Sequence, residues 1–198
     1  MIANQDELME VLGAVHGDIR PISADQIVVS DWVRFKCRYG CPNFGRRLCC
    51  PPYSPTPEET RRALKDYQLG VVARFETDPP STDPSVGMDH MHESLMDIQK
   101  TVHELERQAF VSGCYKAFAM SPLPCRMCQT CVAGERLERD EAPVLTDAVR
   151  CRHRETMRPS MEACGIDVFK TLENIGYDLK VLKSRQERPV LFGLVLLD

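Results

Sequence analysis

Three cysteines at two-residue intervals form the most specific chemical pattern in this sequence: Cys125, Cys128 and Cys131. This C-x2-C-x2-C spacing matches the first three ligands of a bacterial ferredoxin cluster loop. The short gaps allow the backbone to wrap one corner of a cubane, so that three thiolates reach three iron atoms. No cysteine follows three residues further on, and the nearest downstream candidates for a fourth ligand are Cys151 and Cys164.

A second group of cysteines lies before a proline-rich stretch. It consists of Cys37, Cys41 and Cys50, and the last two each precede a proline. Proline fixes φ and removes a competing amide, a feature shared with ferredoxin loops. The group therefore predicts further metal ligands, and the alternative is a proline-locked loop with buried thiols.

Two of the ten cysteines are set aside. Cys49 adjoins Cys50, and neighbouring side chains in an extended segment point in opposite directions. Cys114 stands in an apolar stretch that predicts a strand. The remaining eight meet the requirement of two [4Fe-4S] clusters ligated only by thiolates. These candidate metal and cofactor ligands are Cys37, Cys41, Cys50, Cys125, Cys128, Cys131, Cys151 and Cys164.

The sharing of these ligands between two clusters is predicted only in part. The 125–131 run would take Cys151, and the 37–50 group would take Cys164. Because the remote cysteine of a ferredoxin loop serves the other cluster, the opposite assignment stays open. The expected cofactor is one or two [4Fe-4S] clusters, with zinc as the alternative. Structural zinc sites usually show two paired knuckles, and here only the 125–131 run has such pairs.

Length, charge and hydropathy limit the class of protein. The chain has 198 residues, 43% hydrophobic content and a net charge of -4, which predicts one domain over 1–198 and neither a nucleic-acid binder nor a polybasic membrane protein. The N-terminus carries early acids instead of a basic export signal, and the apolar run over 190–197 is too short to span a bilayer. We therefore expect a cytoplasmic protein, in which clustered thiols serve as metal or redox groups.

Positively charged residues concentrate around both cysteine groups. They would stabilise a negatively charged cluster, steer an acidic redox partner or hold an anionic small molecule, and the alternative is a solvated surface. His90, His92 and His103 are expected to be surface residues of a long helix. No motif of a hydrolase or a nucleotide-binding enzyme is present. The charged residues are Arg34, Lys36, Arg38, Arg46 and Arg47 in the first loop, and Arg126, Arg150, Arg152, His153, Arg154 and Arg158 around the second.

The periodicity of apolar residues predicts the elements that position these loops. Strands that alternate with helices indicate an α/β (or α+β) fold, a single mixed-sheet domain with packed helices and cysteine-rich metal-binding loops at one edge. Thr56 is expected to cap a helix. The predicted helices are 6–15, 57–67, 89–111 and 161–175; the predicted strands are 26–35, 69–75, 115–120, 178–182 and 190–197; 37–57, 77–87 and 122–134 are predicted loops, and 135–141 is predicted to be solvated.

Long sequence motifs connect these cysteines with a known family. Residues 37–42, 50–58, 125–128 and 158–168 resemble the predicted metal-binding proteins of domain of unknown function 2284, from anaerobic archaea and bacteria. The resemblance spans about residues 30–185. It implies metal binding through these cysteines in a prokaryotic cytoplasm, and it implies no particular reaction.

Three functions follow as hypotheses. The leading one is an iron-sulfur protein that transfers electrons to a redox partner protein in anaerobic metabolism. The second is a redox enzyme whose cluster keeps one open iron and whose basic residues bind an anionic substrate. The third is a zinc-stabilised binding module without redox chemistry. Whether the chain catalyses a reaction stays open.

Overall fold

The computed structural model describes residues 4–77, 87–141, 151–184 and 186–198, with side chains from residue 93 onward in the second range. The helices are α1 (Gln5–Val15), α2 (Val33–Gly40), α3 (Pro57–Ala63), α4 (Gly87–Val111), α5 (Val132–Glu138) and α6 (Val168–Glu173). The strands are β1 (Ile19–Ser23), β2 (Leu69–Glu76), β3 (Phe118–Met120) and β4 (Val190–Leu197). Short 3-10 helices span Ala24–Gln26, Leu64–Asp66 and Glu162–Cys164.

The four strands form one sheet in the order β1-β2-β4-β3. Each of the three pairings is antiparallel, so the mixed sheet of the sequence prediction becomes an antiparallel one in an α+β arrangement. Pro21 lies in the edge strand β1, a position that tolerates its missing N–H. The expected domain of a sheet with packed helices is confirmed.

The sheet has a hydrophobic core on each face. Alternate residues of its central strands contribute to the two cores, because successive side chains of a strand point to opposite faces. On one face, Val71 and Val195 pack with α1 and with the apolar stripe of α4, which includes Val102 and Leu105. On the other face, the core consists of buried side chains from all four strands, from the 3-10 helix of Cys164 and from α6. Its members include Ile22, Val72, Met120, Cys164, Ile166, Leu172, Leu194 and Leu196.

Several predicted elements are confirmed. Helices over 6–15 and 89–111 and strands over 69–75 and 190–197 appear within two residues of their expected bounds. Thr56 caps α3, with its hydroxyl accepting from the Glu59 N–H and the Glu59 carboxylate accepting from Thr56. The predicted strand over 115–120 is shorter, since only Phe118–Met120 pairs with β4.

Other predicted elements are wrong. The segment 26–35 is a bridge followed by α2, so Cys37 lies in a helix and not in an irregular loop. The segment 178–182 forms no strand. The helix over 161–175 is divided into Glu162–Cys164 and α6, because Gly165 adopts a left-handed φ of 82° between them. The predicted loop 77–87 falls mostly on 78–86, outside the described residues.

No helix in the described ranges is long and apolar enough to cross a membrane.

Candidate metal centre

Five cysteines from three segments of the chain line one small cavity. Three of them belong to the 125–131 loop, which leaves the edge strand β3 and ends where Cys131 precedes α5. Arg47, Leu48, His153 and Met157 complete the lining. The structure thus brings together residues that are far apart in sequence. The five thiols, called the first cysteine group below, are those of Cys49, Cys125, Cys128, Cys131 and Cys151.

Backbone N–H groups point at sulfur atoms of this group. The N–H of Cys125 donates to Sγ of Cys49 over 3.1 Å, and that of His153 donates to Sγ of Cys151 over 3.4 Å. Such bonds stabilise thiolates and tune the potential of a ligated cluster. The donor set and its amide environment therefore fit a thiolate-ligated metal group.

The 125–131 loop is held by side chains from its surroundings. Arg47 donates to the Cys125 carbonyl over 2.7 Å, which joins the loop to the segment that carries Cys49. Gln99 of α4 donates to the Pro124 carbonyl and accepts from the Arg126 N–H. These bonds fix the loop against α4, so the long helix serves as its platform.

The segment that supplies Cys151 is anchored at both ends. Arg152 donates to the Thr130 carbonyl and pairs with Glu135 on α5. Further along, Arg158 pairs with Glu106 of α4, whose carboxylate also accepts from the Ala119 N–H of β3. The anchors hold Cys151 beside the 125–131 loop, in the lining of the same cavity.

The second cysteine group consists of Cys37, Cys41, Cys50 and Cys164. Cys37 and Cys41 lie close enough to Cys50 to raise its pKa, and Arg34 lies near Cys37 and Cys164. Cys37 is on α2, and Arg34 of the same helix donates to the carbonyls of Pro55 and Ala163. Ser54 also donates to the Ala163 carbonyl, over 2.7 Å. These bonds tie α2, the stretch after Cys50 and the 3-10 helix of Cys164 into one unit.

The two groups meet at a pair of adjacent cysteines. Cys49 belongs to the first group, Cys50 belongs to the second, and their Sγ atoms lie 3.8 Å apart. A hydrogen bond with the Cys50 thiol lowers the pKa of Cys49, against the effect of burial, and the same bond raises the pKa of Cys50. Cys49 is therefore the thiol of this pair that ionises first.

Burial is the largest influence on the pKa of four further thiols of the site. It raises the pKa of Cys125 to about 11 and that of Cys164 to about 12. It also raises the pKa of Cys37 and Cys151. The charge of Arg34 lowers the pKa of Cys37, whereas Cys41 and Glu162 raise it further. In the metal-free protein these four thiols hold their protons at neutral pH.

Cys49 and Glu162 are site residues that sequence reasoning missed. The exclusion of Cys49 assumes an extended segment, but residues 48–53 form successive turns, in which neighbouring side chains need not point to opposite sides. Glu162 lies close enough to raise the pKa of Cys37 and of Cys164, and burial raises its own pKa. The adjacent pair Cys49–Cys50 is the sequence signal that points to Cys49. No sequence signal points to Glu162.

The other residues singled out from the sequence have different places. Cys114 is fully buried in the core beside α4. His103 is half-buried on α4 and does not line the cysteine cavity. The side chains of His90 and His92, and all of Arg150, lie outside the described residues. Among those described, no group of three or more His, Cys, Asp or Glu side chains is arranged to hold a metal ion.

The family comparison agrees with the chemistry of this centre. Residues 20–197 match the family model described as "Predicted metal-binding protein (DUF2284)". The chain belongs to this family. No curated protein matches the chain, and no solved structure does. Membership of DUF2284 establishes the class of predicted metal-binding proteins, and the family description names neither the metal nor a reaction.

Proposed function

We propose that this DUF2284 protein holds [4Fe-4S] clusters and transfers electrons to a partner protein. The observation that carries the proposal is the lining of one cavity by five cysteines from three segments, with backbone N–H groups donating to two of the sulfurs. Four thiolates satisfy a [4Fe-4S] cluster, and N–H···S bonds are a regular feature of such sites. The first cysteine group supplies enough ligands for one cluster.

The spread of the thiols favours a cluster over zinc. A tetrahedral zinc ion draws its ligands to one point, with Zn–S bonds of about 2.3 Å. The five thiols come from three segments of the chain, and three of them stand at the two-residue gaps that ferredoxin cluster loops share. A cubane distributes its thiolates over four iron atoms and so accommodates ligands spaced around a volume.

The second cysteine group is the proposed site of a second cluster. It provides four thiols: Cys37, Cys41, Cys50 and Cys164. Burial raises the pKa of Cys37 and Cys164, and for Cys50 it adds to the rise caused by the hydrogen bond with Cys49. Because the Sγ atoms of Cys49 and Cys50 lie 3.8 Å apart, clusters held by the two groups would be neighbours. Electrons could then pass through the chain from one cluster to the other.

The exposed side of α2 is the proposed docking surface for an acidic electron-transfer protein. Phe35 and Tyr39 are 61% and 79% exposed, on the helix that carries Cys37. Lys36 and Arg38 lie between them and form no ion pair within the described parts of the chain. Exposed aromatic rings with unpaired cations suit an acidic partner, whose approach would bring it beside the second cysteine group.

The basic residues give less support to an enzyme with an anionic substrate. Arg34, Arg47, Arg152 and Arg158 are engaged with carbonyls or carboxylates that hold the cysteine loops. These bonds position the cysteine loops and leave the four guanidinium groups less available to a substrate. The enzyme and the zinc module are alternative outcomes of the redox titration described next. The ten free thiols favour a reducing compartment, and we propose the cytoplasm.

A redox titration followed by EPR tests this function on protein purified without oxygen. The proposal expects reducible centres in the wild type, loss of one centre in Cys128→Ser, and unchanged signals in the control Cys114→Ser, whose cysteine is in the core. The absence of any reducible centre in the wild type would contradict it. A perturbation of the spectrum by added cyanide would instead indicate an open iron and favour the enzyme.

A further inference from the structure

A second cavity, of about 670 Å³, lies between α3 and the sheet, on the face opposite α1 and α4. One wall is the stretch Pro52–Thr56 that directly follows Cys49 and Cys50, and the floor is formed by Phe118, Met120 and Leu196 of β3 and β4. This volume falls in the range of small-molecule sites. The cavity therefore adjoins the cysteine-bearing segment without being part of the metal centre.

The lining of this cavity is aromatic and apolar. Tyr53, Tyr67 and Phe118 supply three rings, and Met120 supplies a polarizable thioether. Leu64, Ala63 and two prolines add aliphatic surface. Such a lining favours a flat ring system that stacks on aromatic faces.

The polar groups of the lining already have partners, with one exception. The Tyr67 hydroxyl donates to the Lys116 carbonyl over 2.9 Å, and Thr60 donates to the Cys164 carbonyl over 2.7 Å. Ser54 donates to the Ala163 carbonyl. Within the described residues, the hydroxyl of Tyr53 has no hydrogen-bond partner, although Arg136 and Cys131 lie close enough to act on its pKa. It is therefore the group of the lining that is available to fix the orientation of a ligand.

The charge of the lining selects against anions. Among the described residues, no lysine or arginine lines the cavity, and the one charged side chain of the lining is that of Glu59. The N–H and hydroxyl of Thr56 both donate to that carboxylate and keep it ionised. Arg62 and Arg34 lie close enough to lower the pKa of Glu59 further, but neither lines the cavity, so a negatively charged ligand inside it would meet apolar walls and this carboxylate.

We propose that this cavity is a binding site for an uncharged, fused-ring aromatic molecule, oriented by the Tyr53 hydroxyl and held next to the segment that carries Cys49 and Cys50. The proposal is independent of the identity of the metal, because none of its residues is a candidate ligand.

Binding of two matched probes tests the site. 2-Naphthol and naphthalene-2-sulfonate share one ring system and differ in charge at neutral pH, and their binding to the purified protein can be followed by probe fluorescence. We expect 2-naphthol to bind at least about tenfold more tightly than the sulfonate, a difference of about 1.4 kcal/mol. Equal binding of the two probes, or no binding of 2-naphthol, would overturn the proposal.

Two variants assign the binding to this cavity. Ala63→Phe places a ring in the cavity at an exposed helical position, so the fold tolerates it, and we expect 2-naphthol affinity to fall at least about tenfold. The control Ala14→Phe makes the same change at an exposed position of α1, near the other core, and leaves affinity unchanged. Unchanged affinity in Ala63→Phe would place the binding elsewhere and overturn the assignment.

Glu59→Gln tests the electrostatic selection separately. Glutamine keeps the helix cap, because it can accept the same bonds from Thr56, but it removes the charge. The proposal expects tighter binding of naphthalene-2-sulfonate and little change for 2-naphthol. A preference for 2-naphthol that stays the same in this variant would contradict the role of the carboxylate. Both probes are measured with metal-loaded and metal-free protein, so the failure of this site is distinguishable from a failure of the metal assignment.

Discussion

The thiols around the metal centre differ in acidity before any metal binds. A hydrogen bond with Cys50 lowers the pKa of Cys49, whereas burial raises the pKa of Cys125 to about 11 and that of Cys164 to about 12. Metal ligation requires thiolates, so binding must displace the protons that the buried thiols retain. Cys49 is consequently the thiol best prepared to bind first.

This acidity predicts a pH dependence of metal binding. A thiol with a raised pKa is protonated throughout the neutral range, so each such thiol releases one proton on binding and apparent affinity increases as pH rises. For each proton released, affinity should rise about tenfold per pH unit below the thiol pKa. Titration of metal-free protein with Co²⁺ between pH 6.5 and 8, followed by thiolate-to-cobalt absorption, measures the effect. An affinity that is independent of pH would contradict protonated thiols at the site.

Substitution of Cys49 tests the residue that the sequence pattern excluded. Its Sγ lines the cavity and accepts the Cys125 N–H, so we assign Cys49 as one of the four ligands among the five thiols of the first group. On this assignment we expect Cys49→Ser to lose one cluster and to lower iron and sulfide content by half or more. Cys114→Ser is the matched control, since its thiol lies in the core away from this cavity. Equal metal content in Cys49→Ser and wild type would remove Cys49 from the ligands and restore the set predicted from spacing.

At the scale of elements, long-range ion pairs and turns hold the cysteine loops in place. Arg158 joins the segment of Cys151 to Glu106 of α4, and the two side chains are 17% and 11% exposed. Glu106 also accepts from the N–H of Ala119, so one carboxylate connects α4, β3 and the cysteine segment. α4 thus positions two of the three segments of the first group.

Breaking this pair should destabilise the fold and weaken the site. Glu106→Gln leaves Arg158 without its charged partner in a mostly buried position, and we expect a loss of about 3 kcal/mol in the free energy of unfolding. Glu104→Gln on the same helix is the control: its pair with Arg107 is exposed, so the cost should stay below about 1 kcal/mol. Urea unfolding of both variants gives the comparison, and equal losses would show that Glu106 has no special role.

Gly165 is the turn that separates Cys164 from α6. Its φ is 82°, and a Cβ there would lie 2.7 Å from Cγ of Pro57. Gly165→Ala should therefore cost about 2 kcal/mol or more of unfolding free energy, from strain and overlap together. Gly176→Ala, with a φ of 83° and open space around the Cβ, isolates the strain. If the two variants lose the same stability in thermal unfolding, the contact with Pro57 has no energetic effect.

At the scale of the whole molecule, elements with a long and regular apolar pattern were predicted correctly, and segments with a weak pattern were not. α4 and β4 were predictable because their apolar patterns are long and regular. The segment 26–35 carries β-branched residues, which favoured a strand, yet tertiary contacts place a bridge and α2 there. At Gly165 the backbone has a left-handed φ of 82°, and Pro57 lies where a Cβ would be, an approach from a distant part of the chain that no local pattern contains.

The candidate site was predictable where spacing carries the chemistry. The two-residue gaps of the 125–131 loop predicted a group of three cysteines, and the structure gathers them around one cavity. The addition of Cys49 depends on the turns over 48–53 and on Arg47, which joins the two loops through the Cys125 carbonyl. Such a junction is a property of the folded chain, and sequence spacing alone does not contain it.

The content of iron, acid-labile sulfide and zinc per chain tests the central claim most directly. It is measured on protein purified without oxygen, together with the visible spectrum before and after dithionite. Two [4Fe-4S] clusters predict about eight iron and eight sulfide per chain and bleaching on reduction, and about four of each would indicate one cluster. Zinc without sulfide, in a colourless protein, would contradict the iron-sulfur account and leave a zinc-stabilised module.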